Sequence, residues 1–254
     1  MSMSSTVPDN ESRMPNAKQV KAITLDVGNT LIHPFPSLGD HYARAAAHSG
    51  ILVDREDIEA RFHQAWQLAQ GATEGLIYGR THAEARAFWR NVIGRVFSPD
   101  GADASQVMAM LDELYEEFGQ ARTWRLAEGW TELFDACRCC GVRIGLISNW
   151  DMRLRKLLDE IGVLENVHSV VISAECGIEK PTADIFHLSL SQLGVAPAET
   201  VHVGDTWLDD VVGARNAGMM PVWFNPSERA FPDGEAESHQ ARSLTDLIHW
   251  LGLC

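Results

Sequence analysis

The chain has 254 residues, 45% of them apolar and 22% charged, which excludes a disordered or low-complexity protein and a fragment too short to bury a core. Its 21 basic against 35 acidic residues give a net charge of −14, and no run of Lys and Arg builds a basic groove, so no nucleic-acid partner is expected. Five cysteines, with Cys137, Cys139 and Cys140 wrongly spaced for a zinc knuckle, point to reduced thiols in a cytoplasmic protein.

Residues 1–20 are polar, rich in Ser, Asn and Pro, and lack the apolar run of a signal peptide, so they read as a disordered tail. No window approaches the roughly 18 apolar residues of a membrane helix, and no membrane partner is expected. Residues 22–27 are short, β-branched and followed at once by Gly28-Asn29, the pattern of a buried strand ending in a turn. After the linker Pro34-Phe35-Pro36 the chain changes to long amphipathic segments at about 40–49, 56–70, 82–96 and 104–118. In the second of these Ile58, Phe62, Ala65, Trp66 and Ala69 recur on one helical face. The aromatic residues Phe62, Trp66, Phe88 and Trp89 are accounted for as the core of a helix bundle by that spacing alone.

From about Gly129 short apolar runs alternate with helices, the signature of βαβ units. Strands are expected at 142–147, 169–172, 200–203 and 220–224, with helices near 152–161, 183–193, 207–217 and 244–251. Ser243 and Asp246 have capping-box-like spacing at the last of these. Residues 231–239 read as an exposed loop. The fold class is α/β, a doubly wound parallel sheet of Rossmann-like form interrupted after its first strand by an all-helical insertion. The core comprises 21–34 and 126–254, and the helical cap comprises 35–125.

In open α/β sheets the functional crevice lies outside the carboxyl ends of the strands. Here those ends carry Asp26-Val27-Gly28-Asn29-Thr30, Ser148-Asn149, and Gly204-Asp205 with Asp209-Asp210, while Glu179-Lys180-Pro181 precedes the helix at 183. A carboxylate closing a buried apolar strand, as Asp26 and Asp205 do, costs several kcal/mol (about) unless paired or metal-bound. Two such groups converging from different strands imply a cation, and an all-oxygen set suits Mg²⁺. Lys180 suits a phosphate oxygen, and the Ser148 hydroxyl can donate to another or cap the helix that follows it. Asp209 and Asp210 also fit first-turn positions of a helix, favoured by its dipole. With the phosphoryl group clamped by Mg²⁺, Asp26 can act as a nucleophile.

These four segments, in this order, resemble the haloacid dehalogenase-like (HAD) hydrolase superfamily over about residues 21–224, with the helical insertion similar to the family's cap after the first strand. The resemblance implies a hydrolase, of phosphatase type, acting on a small phosphorylated metabolite through an aspartyl-phosphate. It matches Asp26 to the nucleophile, Thr30 to the motif-one Thr, Ser148 to the phosphate-binding hydroxyl, Lys180 to the motif-three Lys, and Asp205 with Asp210 to the acidic pair. It assigns Asp26, the Gly28 carbonyl, Asp205 and Asp210 to Mg²⁺, and catalysis to Asp26, Lys180 and Ser148. On the substrate side stand Ser148, Asn149, Trp150, Lys180 and His33.

The chain departs from the family at Gly28, where the phosphatases carry a second Asp that protonates the leaving group. General acid/base catalysis of this kind is typically worth about 10²–10⁴-fold. His33 either supplies the missing proton or fills the hinge between Ile32 and Pro34, and Trp150 faces either the cap or a substrate. Three alternatives follow: a haloacid dehalogenase relative, which needs neither the second Asp nor a metal; a phosphonatase-like enzyme; and a slow or non-catalytic relative kept as a binding module. The second requires a cap amine, and Lys18, Lys21, Lys156 and Lys180 all lie outside the expected cap.

Overall fold

The computed structural model describes residues 20–71, 77, 79–232 and 238–253. The strands in chain order are β1 (Ala22–Leu25), β2 (Ile32–Pro34), β3 (Trp124–Leu126), β4 (Arg143–Ser148), β5 (Ser169–Ile172), β6 (Thr200–Gly204), β7 (Met220–Phe224) and β8 (His239–Ala241). Six of them form one all-parallel sheet in the order β5-β4-β1-β6-β7-β8. A strand in the middle of a parallel sheet is covered on both faces, which explains why β1 reads as a continuous apolar run and is buried throughout.

The helices are α1 (Leu38–His48), α2 (Arg55–Gly71), α3 (His82–Phe97), α4 (Ala104–Glu117), α5 (Trp130–Cys140), α6 (Leu154–Ile161), α7 (Ser173–Cys176), α8 (Ala183–Leu193), α9 (Gly213–Asn216) and α10 (Leu244–Leu251). One face of the sheet, through Ile23, Leu25, Ile144, Leu146, Val201 and Val203, packs against α5, α6 and α10. The other, through Ile147 and Val171, packs against α8 and α9. The expected capping box at α10 is present, with Ser243 accepting from the Asp246 N–H and Asp246 from the Ser243 N–H. Residues 207–217, expected as one α-helix, begin instead with a π-helical turn over Trp207–Val212, a distortion that often accompanies functional sites.

Helices α1 to α4 are inserted between β2 and β3 and have their own hydrophobic cluster, in which Phe88 is buried and Phe62, Trp66 and Trp89 are packed at its margin. Strands β2 and β3 pair antiparallel and carry the chain out of the core and back. Phe35 N–H continues this ladder to the Thr123 carbonyl at 2.8 Å. His41 ties the crossing by meeting the Phe35 carbonyl at 3.0 Å and the Glu117 carboxylate at 3.0 Å.

A second tie joins the insertion to the loop that follows β4. Asp151, fully buried, receives the Arg153 guanidinium on both oxygens at 2.9 and 2.6 Å and the Trp89 indole N–H at 3.2 Å. Arg153 lies over the Tyr115 ring at 3.8 Å and donates to the Tyr115 carbonyl at 2.5 Å. Gly79 has φ +80°, and a Cβ there would fall 2.3 Å from Asp151 Cβ, so only glycine lets the insertion come this close. The Gly79 carbonyl accepts from the Met152 N–H at 3.0 Å.

The expected tail lies outside the described residues except at Val20, which is buried in the core and so corrects the boundary by one residue. The expectation of reduced thiols holds at Cys137, Cys139 and Cys176 and fails at Cys140, which is disulfide-bonded. Among the described residues no helix is long and apolar enough to cross a membrane.

Removing Asp151 leaves the Arg153 guanidinium, whose side chain is 13% exposed, without its buried counter-ion. Loss of one member of a buried pair typically costs about 3–5 kcal/mol. Asp151→Ala is therefore expected to lower the free energy of unfolding by that order, read as a fall in the urea midpoint at unchanged slope; a midpoint unchanged from wild type contradicts the tie.

Candidate functional site

Strands β4, β1 and β6 are adjacent, and each delivers polar groups at its carboxyl end. β1 pairs with β4 through Leu25 and Leu146 and with β6 through Leu25 and Val203, which sets Asp26, Ser148 and Asp205 at one rim. The chain leaves β1 through a tight loop in which Leu31 and Ile32 N–H both donate to the Val27 carbonyl. Asn29 takes φ 55° there, a conformation Asn tolerates better than most residues.

At the centre Lys180 Nζ donates to Asp26 Oδ1 and to Asp210 Oδ1, both at 2.6 Å, and all three side chains are buried. Asn149 fixes the lysine's backbone: its Oδ1 accepts from Lys180 N–H at 2.8 Å and its Nδ2 donates to the Lys180 carbonyl at 2.9 Å. Asn149, expected on the substrate side, thus acts through Lys180, because both ends of its amide are engaged there. Asp210 is held from three sides, by Lys180, by His202 Nε2 at 3.3 Å and by the Thr206 N–H on Oδ2 at 2.9 Å. Its carboxyl carbon lies 2.2 Å from where a Cβ at Gly204 would stand, so a side chain at 204 would displace it.

His202 was not singled out from the sequence. The β1–β6 register places it beside Thr24, whose hydroxyl meets its Nδ1 at 2.9 Å. Burial lowers its pKa and favours the neutral ring. A neutral ring beside an Asp210 carboxylate carries its proton on Nε2 and accepts from Thr24 on Nδ1.

The carboxylates differ in charge balance. Burial raises the Asp26 carboxyl to about 6, against the opposing pull of Lys180. Burial, and then the charges of Asp26 and Asp210, push Asp205 up to about 8. Asp209 rises to about 6, chiefly through burial. Burial acts on Asp210 too, but Lys180 and His202 outweigh it and hold its pKa below the carboxylate range. Among the described residues no hydrogen-bond donor reaches the Asp205 carboxylate, although its backbone carbonyl accepts from Trp223 Nε1 at 3.0 Å and Arg229 Nη2 at 2.8 Å. One oxygen each from Asp26, Asp205 and Asp210 lie within 4.8 Å of one another, a donor set that fits a small hard cation.

Ser148 is buried at the end of β4. Thr30 is buried with its hydroxyl unpartnered among the described residues. Trp150 stands beside Gly28, with its Cζ3 atom 3.2 Å from where a Cβ at 28 would be. His33 lies at the exposed position of β2, opposite Arg125, while Ile32 beside it points inward. No hydrogen bond or ion pair joins it to the carboxylates among the described residues, because strand alternation turns it to solvent.

Comparison with known proteins places the chain beside hydrolases of one family. A family model described as haloacid dehalogenase-like hydrolase matches residues 20–218. The mouse protein haloacid dehalogenase-like hydrolase domain-containing protein 3 is 32% identical over 246 residues, covering 94% of this chain and 97% of its own length. The phosphoserine phosphatase of Thermus thermophilus is 32% identical over 222 residues, with 81% of this chain and 89% of that protein covered. Among solved structures, the magnesium-bound HAD-hydrolase YfnB of Bacillus subtilis has a TM-score of 0.71 at 18% identity, over 91% of this chain and 98% of that one.

The raised carboxyls set the sign of the pH dependence. Asp26 and Asp205 hold protons in the folded state above the 3.8 of a free side chain, so without a divalent cation their ionisation costs stability as pH rises. Asp210 and His202 act in the opposite sense: the Asp210 contribution is lost only as pH falls below 3.8 toward its depressed folded value, and that of His202 as pH falls below 6.5, where one histidine opposes the two carboxyls. In EDTA the melting temperature is expected to fall as pH rises from about 4 toward 8, the span of the Asp205 shift. Asp205→Asn should flatten that fall; an equal slope in the variant contradicts the assignment.

Proposed function

The chain belongs to the haloacid dehalogenase-like hydrolase family, and from that premise we propose that it is a Mg²⁺-dependent phosphatase acting on a small phosphate monoester. The observation that carries this reading is the Asp26–Lys180–Asp210 triad with the Asp205 carboxylate beside it, reached by no hydrogen-bond donor among the described residues. The Thermus relative is a phosphatase and the Bacillus structural neighbour binds magnesium, which supports the same reaction class here. Helices α1 to α4 serve in this reading as a cap over the rim.

Asp26, Asp205, Asp210 and the Gly28 carbonyl are the groups that would hold Mg²⁺. When bound, the ion supplies Lewis-acid neutralisation of the phosphoryl oxygens. Asp26 attacks phosphorus through a carboxylate oxygen; the bond to the leaving oxygen breaks, and an aspartyl-phosphate remains for water to hydrolyse. Lys180 keeps Asp26 ionised and offers positive charge to the transferred group. Ser148 donates to a phosphoryl oxygen. Asn149 and His202 are positioning residues, the first for Lys180 and the second for Asp210.

At Gly28 no side chain can protonate the leaving oxygen, so rate should fall steeply as the leaving group becomes more basic. The same absence favours a second reading, a binding module that holds a phosphorylated ligand without turnover.

On p-nitrophenyl phosphate with Mg²⁺, Asp26→Asn is expected to lose at least about 10³-fold in kcat while keeping its circular dichroism spectrum. Gly28 is not among the left-handed glycines, so the backbone there accepts a side chain, whose Cβ would stand 3.2 Å from Trp150 Cζ3. That variant should gain part of the ~10²–10⁴-fold range on alkyl phosphates. Wild-type turnover that is undetectable on every ester, with inorganic phosphate still bound, would establish the binding module instead.

A further inference from the structure

We propose that Trp150 forms an aromatic wall on the leaving-group side of the site and that the preferred substrates are aryl phosphate monoesters; this rests on the phosphatase reading. A Cβ at Gly28 would meet Trp150 Cζ3 at 3.2 Å and Cε3 at 3.9 Å. The edge of an indole therefore borders the space that a side chain two residues beyond Asp26 would occupy. Among the described residues no other atom within 4 Å of that point belongs to a non-adjacent residue.

The wall is held in place. The Trp150 N–H donates to Ser173 Oγ at 3.1 Å, and its carbonyl accepts from Ala174 N–H at 3.3 Å. Its ring packs on Trp124 with centroids 5.1 Å apart. Trp124 is buried and anchored through Nε1 to the Phe118 carbonyl at 3.1 Å. Trp150 itself keeps part of its surface exposed, so the indole can still be touched by a ligand while its backing ring cannot move away.

Two independent requirements then point to the same leaving group. With no acid at position 28, the bond between phosphorus and the leaving oxygen breaks with the electron pair staying on oxygen, which takes its proton from solvent afterwards. A phenolic oxygen, with a pKa of about 10 as in tyrosine, accepts that charge far more readily than an alcohol oxygen, which lies closer to water's roughly 15.7. The carbon skeleton bearing that oxygen meets an indole, and an aromatic ring gains edge or offset contact with it that an alkyl chain does not. One such pair is worth roughly 2- to 12-fold in affinity.

Calorimetry with inorganic phosphate, phenylphosphonate and propylphosphonate, each with Mg²⁺, separates these contributions because neither phosphonate has a leaving oxygen. The wild type should bind phenylphosphonate about 2- to 12-fold more tightly than propylphosphonate. Trp150→Leu should abolish that preference with phosphate affinity retained, and Trp150→Phe should keep most of it. Equal binding of the two phosphonates by the wild type, or a preference that survives in Trp150→Leu, overturns the aromatic wall alone. Failure of the wild type to bind inorganic phosphate overturns the phosphatase reading and this proposal with it. If Trp150→Leu does not fold, the wild-type preference and its retention in Trp150→Phe decide the matter.

Discussion

At the carboxyl edge of the sheet three carboxylates face one ammonium, and the charges do not balance. Lys180 Nζ sits 2.6 Å from both Asp26 and Asp210, and His202 and a backbone N–H complete the shell of Asp210. Asp205 is left over, pushed up to about 8 by burial and by its acidic neighbours. Buried charge is costly unless compensated, so the cluster is an incomplete ion network with a donor set that fits a small divalent cation. The surrounding structure keeps the lysine where both carboxylates can reach it: Asn149 clamps its backbone, and Gly204 leaves room for Asp210.

The insertion depends on that rim as much as on its own core. The residues that follow Ser148 and Asn149 are Trp150 and Asp151, and each reaches beyond the core to the insertion or to the strand that returns from it. Trp150 packs on Trp124 of the returning strand, and Asp151 receives Trp89 of the insertion. One short loop thus carries the lysine clamp, the neighbour of Gly28 and the tie to the helices. The helices and the groups around Asp26 are thus joined through this loop by packed rings and a buried ion pair.

Much of this was legible in the sequence, for reasons that differ by element. The central strands stand out because both of their faces are buried, and Asp26 and Asp205 stand out because carboxylates rarely close such strands. Three-residue strands such as β2, β3 and β8 are too short to show alternation, and β8 begins at His239, the last residue of a stretch read as loop. Helix α5 was missed although Leu133, Ala136 and Cys137 are spaced along one face; the expected strand-helix alternation drew attention to the strands around it. His202 and Asp151 were invisible as functional groups because their roles come from long-range partners, Thr24 across the sheet and Trp89 across the insertion. A His inside an apolar run and an Asp after a strand carry no local mark of such contacts. His33 shows the converse: a titratable residue near the site in sequence that strand alternation turns outward.

The account stands on the Asp205 carboxylate that no donor reaches among the described residues, and calorimetric titration of Mg²⁺ into the wild type and into Asp205→Asn, both at neutral pH, tests it most directly. One ion should bind per wild-type chain, and binding should weaken by at least about tenfold in the variant, a difference of about 1.4 kcal/mol. Absence of Mg²⁺ binding by the folded wild type, or equal affinity in the two proteins, would contradict it.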